Sequence, residues 1–546
     1  MVFFKKYSEY LLLGIVFLLA LSVRIYLLPT LPNGLQQDEL NAGYQGYKII
    51  LTGRDFLGNF LPFFINRFGD FRPAGIFYVD GLSVLLLGLS TFAIRFPSAL
   101  FGALTSVAVY FFVRGLFKNS KIALLSAVLL AISPWHIVTS RSTSEQVIAL
   151  FLMIVAATFL VWGMNLSKRI FLLYSGIIFL GSYFFYHTPR VFIPIFVVLV
   201  AFLSSYVPER FSKKNIKSLL APIWVLGILL GGVTIVLSLT TAGVGRLNQT
   251  SVWGNASVNA GIKALDDSER GNIYAARVFD NKLVVYGKTI LDQYLTYFSP
   301  EFLYIKGGVP DRYVVPQMGL FYYLELPFLL MGFYFLIKRK DPMYLIPLLW
   351  LLVGPIATSI TLDDVPNIQR SLFMLPAFQI IEGYGMYYFF VSIKKGRWRI
   401  ILGSLLSLGF LLSFIYFWHL YQVVSPDYRS YVRDDGNQEL FSYLTSQEKN
   451  YRSIYLSSSQ ELPLYYSFFN FKKIGLVSDS LQKEETGITM QMYHFIPDEC
   501  PERKLTSIKQ GTLVVDFGNC AIPDGVKTQK IIYRQDSTKA YIINTY

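Results

Sequence analysis

Two adjacent carboxylates, Asp38 and Glu39, stand a short way beyond the first apolar stretch, in Leu-Pro-Asn-Gly-Leu-Gln-Gln-Asp-Glu-Leu-Asn-Ala-Gly-Tyr. Carboxylates at the edge of a bilayer are costly to desolvate, which favours a chemical use for them. Such a pair can hold a divalent cation or take a proton from an incoming nucleophile. The structural alternative is a helix N-terminus, where the helix dipole favours acidic residues. Residues 40–51 do read as helical, so that alternative is partly true as well.

Cationic residues follow at intervals. Arg67, Asp70 and Arg72 lie in Asn-Arg-Phe-Gly-Asp-Phe-Arg-Pro-Ala-Gly. Arg141 and Glu145 share one short loop, and His187 and Arg190 share another, Tyr-His-Thr-Pro-Arg. Arg370 follows Asp363, Asp364 and Asn367 where an apolar run begins. An arginine presents a planar fork of donors that matches phosphate oxygens. The plain alternative is interfacial snorkelling of long basic side chains. Arg370, with Arg72 and Arg190, is the candidate set for a lipid-linked phosphate. Arg67, Asp70, Arg141 and His187 are candidates for the remainder of a donor or acceptor site. A lone histidine such as His136 in this setting is more often structural than a metal ligand.

These residues sit on a membrane scaffold. The chain has 546 residues, 53% hydrophobic and only 15% charged, against about 25% charged in soluble domains. Mean hydropathy is +0.45. The net charge of +14 does not point to nucleic acid, because the basic residues cluster in short loops between apolar runs, as the positive-inside rule describes. Apolar runs near 10–29, 97–117, 121–137, 146–164, 170–186, 190–206, 218–239, 318–337, 342–360, 372–393 and 400–419 predict eleven transmembrane helices. With that count every basic cluster falls on one side, from Lys5-Lys6 to Arg397 and Arg399, which places the N-terminus in the cytoplasm. The apolar segment 76–90 is interrupted by Asp80. It reads as a helix at the interface rather than a further span.

The expectation is thus an α-helical integral membrane domain, 1–420, with outer loops 30–96 and 240–317 that carry juxtamembrane helices. A small extracytoplasmic α/β domain, 421–546, follows. In it, 453–456, 512–517 and 530–533 read as strands and 436–444 as helix. The chain's two cysteines, Cys500 and Cys520, lie in that domain, on the side where disulfides persist, and are expected to be joined. No phosphate-binding Gly-x-x-x-x-Gly-Lys-Ser/Thr, no His-Glu-x-x-His and no Cys/His cluster of zinc spacing occurs. The energy for a transfer would therefore come from a leaving group rather than from nucleotide hydrolysis.

Asp38-Glu39-Leu-Asn-Ala-Gly-Tyr followed by Ile-Leu-Thr-Gly-Arg-Asp resembles the first outer loop of the superfamily of protein O-mannosyltransferases and lipid A aminoarabinose transferases. Arg72-Pro-Ala with Ile-Phe-Tyr is similar to its Lys-Pro-Pro-Leu-type segment. Arg95-Phe-Pro-Ser-Ala-Leu-Phe-Gly-Ala-Leu-Thr resembles its Arg-Leu-Pro-Ser-Ala-Leu-type segment. Pro366-Asn-Ile-Gln-Arg370 looks like a late-loop motif of bacterial members. The resemblance runs over about residues 10–420 and departs from the family where Arg72-Pro-Ala stands for Lys-Pro-Pro. It implies a GT-C fold and an inverting glycosyltransferase. A sugar would pass from undecaprenyl or dolichyl phosphate to a hydroxyl of a protein, lipid or glycan on the outer face of the cell membrane. It implies Asp38 as catalytic base, with Glu39 beside it. It also raises a divalent cation (Mg2+, Mn2+ or Zn2+) at Asp38 and Glu39, which some members use. The alternatives are a transporter or flippase for lipid-linked glycans, or a polymerase or ligase that shares the donor.

The topology yields a direct expectation. A cysteine introduced into the tail should react with an impermeant maleimide on intact cells, and reaction only after permeabilisation would refute the cytoplasmic N-terminus.

Overall fold

In hydrocarbon only an internally hydrogen-bonded backbone is stable, so long apolar runs fold as helices. A computed structural model describes residues 2–67, 70–206, 213–268, 273–279, 281–339, 341–476, 487–505, 510–522 and 525–546. α1 (Val2–Ile25) leads to an outer segment made of α2 (Gln37–Thr52), a hairpin of β1 (Phe64–Arg67) and β2 (Asp70–Pro73), and α3 (Gly75–Leu87). Then come α4 (Thr91–Phe117), α5 (Ser120–Ile132), α6 (Pro134–Ser140), α7 (Glu145–Leu166), α8 (Arg169–Tyr183), α9 (Thr188–Ser205) and α10 (Lys213–Ser238). A second outer segment holds α11 (Thr241–Thr250), α12 (Ala256–Ser268), α13 (Ile273–Phe279) and α14 (Lys282–Thr296). The membrane part ends with α15 (Leu326–Ile337), α16 (Ile346–Val353), α17 (Ile356–Ser359), α18 (Leu375–Ser392) and α19 (Gly396–His419).

Seven of the described helical stretches are long and apolar enough to cross a membrane. α5 and α6 together make an eighth, bent by 56° where Ser133-Pro134 interrupts the backbone ladder. α8 and α15 are shorter apolar helices, and α18 occupies the last remaining expected position. The chain is a multi-pass membrane protein, and each of the eleven expected stretches contains helix, although 318–337 is α-helical only from Leu326 and 342–360 is broken between α16 and α17. α3 has 13 residues, so it extends only about 20 Å against roughly 30 Å of hydrocarbon. That length suits the expected interfacial position.

Beyond α19 the chain makes α20 (Ser425–Arg429) and a small α/β domain. It contains α21 (Asn437–Gln447), β3 (Ser453–Ser457), α22 (Leu462–Phe469), α23 (Phe471–Ile474), β4 (Ile488–Met490), β5 (Tyr493–Ile496), β6 (Thr512–Phe517), β7 (Lys527–Tyr533) and β8 (Lys539–Thr545). The six strands form one sheet in the order β4-β5-β3-β6-β8-β7. Central β3 runs parallel to β5 and β6, and the other pairs are antiparallel. Cys500 and Cys520 are joined in a disulfide, their Cα atoms 5.8 Å apart. The core of this domain does not stop at residue 421. Leu35, Leu40 and Tyr44 of the first outer segment belong to the same buried cluster as Leu440, Tyr465 and Tyr493. The tail is therefore seated on α2.

Helices of the membrane part approach closely through small residues, as expected where van der Waals packing drives association. α15 crosses α18 at Gly332 and Gly385. A Cβ on Gly332 would stand 2.0 Å from the Ile381 carbonyl oxygen, and one on Gly385 2.0 Å from that of Phe328. Gly332→Ala should thus separate the helices and cost about 1–3 kcal/mol. Gly261→Ala, on α12 with nothing within 4 Å of the new carbon, should be neutral or stabilising. Thermal unfolding of the two variants in detergent checks the contrast. Equal midpoints would mean that the α15–α18 crossing is loose.

Candidate active site

Asp38 and Glu39 occupy the first turn of α2. The Gln36 side chain accepts from the Asp38 amide at 2.8 Å, and the Glu39 carboxylate accepts from the Gln36 amide at 3.2 Å. This reciprocal capping box fixes the turn. Successive helical residues point about 100° apart, so the two carboxylates face different surroundings.

Glu39 faces inward, with its side chain 3% exposed. It receives Arg95 Nη2 at 3.0 Å, Arg433 Nη2 at 2.6 Å and the Thr143 amide at 3.0 Å. Burial alone would push its carboxyl up, but Arg433 and Arg95 outweigh burial and hold it below the usual carboxylate range. Arg95 also donates to the carbonyls of Leu28, Pro32 and Gly34, and Arg433 to the Asn33 carbonyl and the Ser142 hydroxyl. Gly34 has φ +63°, and a Cβ there would lie 2.1 Å from the Arg433 carbonyl oxygen. Only glycine fits that approach.

Asp38 faces a cavity of about 680 Å³. Its carboxylate pairs with Arg72 at 3.1 Å and Arg312 at 3.6 Å, and is 23% exposed. Arg72 comes from β2, two residues after Asp70. The pleat puts both on one face, where Arg72 Nε donates to Asp70 at 2.9 Å. The Asp38 charge, working against burial, raises the Arg72 pKa above its ordinary value. Arg312 comes from the second outer segment. Its Nε is buried with no hydrogen-bond partner among the described residues.

Asp38, Glu39, Asp70, Arg72, His187 and Arg370 all line this one cavity. A second cavity of about 280 Å³, largely apolar, lies among α9, α10, α11 and α17 and shares Tyr186, His187 and Arg370 with the first. Arg370 Nη1 donates to Thr361 Oγ1 at 2.8 Å and to Asp363 Oδ1 at 2.8 Å, and its Nη2 also bonds Asp363. The expected arginine fork is present, and a carboxylate holds it in place. Arg190 lines the second cavity, 3.1 Å from His187 Nδ1 and over the Phe64 ring.

Arg141 is not among the cavity residues. It is fully buried and donates to the carbonyls of Val23, Arg24, Tyr26 and Leu31 at the C-terminal end of α1, against the rings of Trp418 and Tyr421. Four backbone carbonyls there take its Nη1 and Nη2 donors. His136 is likewise structural, bonded to Arg24 at 2.8 Å. The Arg67 side chain lies outside the described residues. Sequence reading missed three cations, Arg95, Arg312 and Arg433. Arg95 was seen only as part of a helix-start motif. Arg312 and Arg433 carried no signal beyond Asp-Arg-Tyr and Val-Arg-Asp in polar stretches.

As they stand, Asp38 and Glu39, the pair expected to hold a divalent cation, are each paired with two guanidinium groups. Among the described residues no group of three or more His, Cys, Asp or Glu side chains is placed to hold one.

The architecture around this cavity has known counterparts. The structure of ArnT from Cupriavidus metallidurans bound to undecaprenyl phosphate superposes with a TM-score of 0.50 at 12% identity, over 98% of this chain and 97% of that one. This is a GT-C fold. The Archaeoglobus fulgidus oligosaccharyltransferase, tethered to an acceptor peptide containing the NVT sequon, matches with a TM-score of 0.52 at 12% identity. The match covers 86% of this chain and 64% of the archaeal chain, so this protein spans less than two thirds of that enzyme's length. The same enzyme in complex with Zn and sulfate gives 0.51 at 13% identity, over 84% and 61%. The family model for dolichyl-phosphate-mannose-protein mannosyltransferases matches residues 72–231, from β2 into α10 of the GT-C scaffold. No curated protein matches the chain.

Asp434 of the tail meets the start of α2. It accepts from the Gln37 amide at 2.8 Å and the Tyr465 hydroxyl at 3.1 Å. Burial pushes its carboxyl from the ordinary 3.8 up to about 6, although those hydrogen bonds and Arg433 oppose it. The folded protein thus holds this proton more tightly than the unfolded chain, and stability falls as pH rises from 3.8 through about 6. Asp434→Asn should raise stability by about 2–3 kcal/mol above that window. The advantage should vanish below it. Unfolding curves across pH 3.5–8 would show this, and a pH-independent difference would contradict it.

Proposed function

We propose that this protein transfers a sugar from a polyprenyl phosphate to an acceptor hydroxyl at the outer surface of the membrane. One observation carries the reading. A polar cavity with a partly exposed carboxylate and three arginines shares a wall, Tyr186, His187 and Arg370, with an apolar cavity among membrane helices. That pairing suits an amphiphile with the prenyl chain on the apolar side, the phosphate at the shared wall and the sugar beside Asp38. The likeness to ArnT, solved bound to undecaprenyl phosphate, supports a polyprenyl-phosphate donor.

In this mechanism the acceptor oxygen attacks the anomeric carbon and Asp38 takes the hydroxyl proton. The bond from the anomeric carbon to the phosphate oxygen breaks, and prenyl phosphate leaves with the electron pair. One displacement inverts the anomeric centre. Arg72 and Arg312 hold Asp38 as they stand. A donor phosphate competes for the same guanidiniums, so donor binding releases the base at the moment it is needed. Arg370, with Arg190 behind it, stabilises the leaving phosphate. Glu39 acts on position alone, through the turn that carries Asp38.

Asp38→Asn should keep the fold and donor binding and lose about 10²–10⁴-fold in transfer. Arg370→Ala should weaken donor binding, and Arg370→Lys should restore it only in part, since lysine lacks the fork. Incubation with labelled prenyl-phosphate sugar measures both. Near wild-type transfer by Asp38→Asn would remove the base assignment. Label that crosses the membrane while still on its lipid would mark a transporter instead.

A further inference from the structure

Away from the polar cavity, a second acidic pair lies buried where α15 meets α18. Glu325 precedes α15 and Glu382 lies in α18, both with no exposed surface. They are within electrostatic reach of one another and of Tyr304. All four carboxylate oxygens lack a hydrogen-bond partner among the described residues, apart from a weak approach of the Tyr322 amide to Glu325. The Tyr304 hydroxyl and both polar atoms of the Gln379 amide are unpartnered as well. Gln379 is fully buried and Tyr304 only 5% exposed. Gln379 and Glu382 are three residues apart on α18 and so share a face.

This is an expensive arrangement. The interior satisfies nearly all its buried polar groups, and ionisable side chains inside a membrane protein are rare unless they are used. The backbone here is held tight by the Gly332 and Gly385 contacts, so the two carboxylates cannot move apart by sliding the helices. The groups present are all oxygen donors: two carboxylates, an amide carbonyl and a phenol. No lysine, arginine or histidine among the described residues bonds to either acid. Oxygen ligands with a joint charge of two minus suit a hard divalent cation, and the number of oxygens is that which calcium takes. The Tyr304 ring stacks on Tyr323, which is 66% exposed, at 6.3 Å. The pair therefore lies only one aromatic layer below the surface, on the side from which α15 starts.

We infer that Glu325, Glu382, Gln379 and Tyr304 form a binding site for a hard divalent cation of the calcium class, separate from the cavity of Asp38. Its role is to lock α15 against α18. A cation here adds no chemistry to the transfer. It neutralises two carboxylates that would otherwise repel or take up protons.

The test uses the full chain in detergent, stripped with EDTA and titrated with 45Ca2+ in equilibrium dialysis, with Mg2+ and Na+ as competitors. One calcium ion should bind per chain and raise the unfolding midpoint. The double variant Glu325→Gln/Glu382→Gln should lose both effects, whereas Asp38→Asn should keep both. Should the double variant not fold, Tyr304→Phe and Gln379→Leu leave the carboxylates intact, and each should weaken binding by roughly tenfold. Absence of binding to the wild type, binding that survives in the double variant, or unchanged affinity in both single variants would overturn the assignment. Binding lost in Asp38→Asn would transfer it to the polar cavity. A wild type indifferent to calcium and no more stable than the double variant would mean that the pair is simply protonated, which also overturns it.

Discussion

The buried ion triad of Glu39, Arg95 and Arg433 is the constraint on which the site rests. One carboxylate shared by two guanidiniums is costly to desolvate, and it persists because other donors of both arginines find backbone carbonyls or a hydroxyl. The triad ties the first turn of α2 to α4, to the loop before α7 and to the start of the tail domain. With Glu39 clamped inward, helix geometry turns Asp38 outward into the cavity. An acidic dipeptide that reads as one unit is two, a buried anchor and a partly exposed carboxylate at the cavity.

The arginines of the outer face divide in the same way. Arg141 and Arg95 close the carbonyl ends of helices and loops, which water cannot reach at that depth. Arg72, Arg312 and Arg370 meet carboxylates at the cavity wall. Their charges there are balanced but exchangeable, because a phosphate offers the same planar match as a carboxylate. A site lined in this way can be preorganised without a ligand and still accept an anion.

The scaffold was legible because its physics is local. Runs of apolar residues, basic loops and alternating strands in the tail each declare themselves within a window of twenty residues or fewer, and helices or strands lie where those windows predicted them. Asp38, Asp70, Arg72, His187 and Arg370 were legible as chemistry and do meet in one cavity. The β1–β2 hairpin that aims Asp70 and Arg72 was not anticipated, since four-residue strands around Phe68-Gly69 carry too little periodicity. Arg141 was misplaced because sequence cannot distinguish an arginine that reaches a ligand from one that reaches carbonyls. Arg312 and Arg433 were invisible because their partners are hundreds of residues away in sequence.

That separation has a consequence in time. Arg433 reaches Glu39 across 394 residues, Asp434 reaches Gln37 across 397, and Tyr465 reaches Leu35 across 430. The segment bearing Asp38 and Glu39 is made 394 residues before the arginine that completes its clamp. Contacts this distant form slowly and only after the intervening segments are in place. Until then Glu39 lacks one of its two arginine partners. Completion of the polar cavity thus coincides with docking of the tail, so a chain that lacks the tail cannot hold the finished cavity.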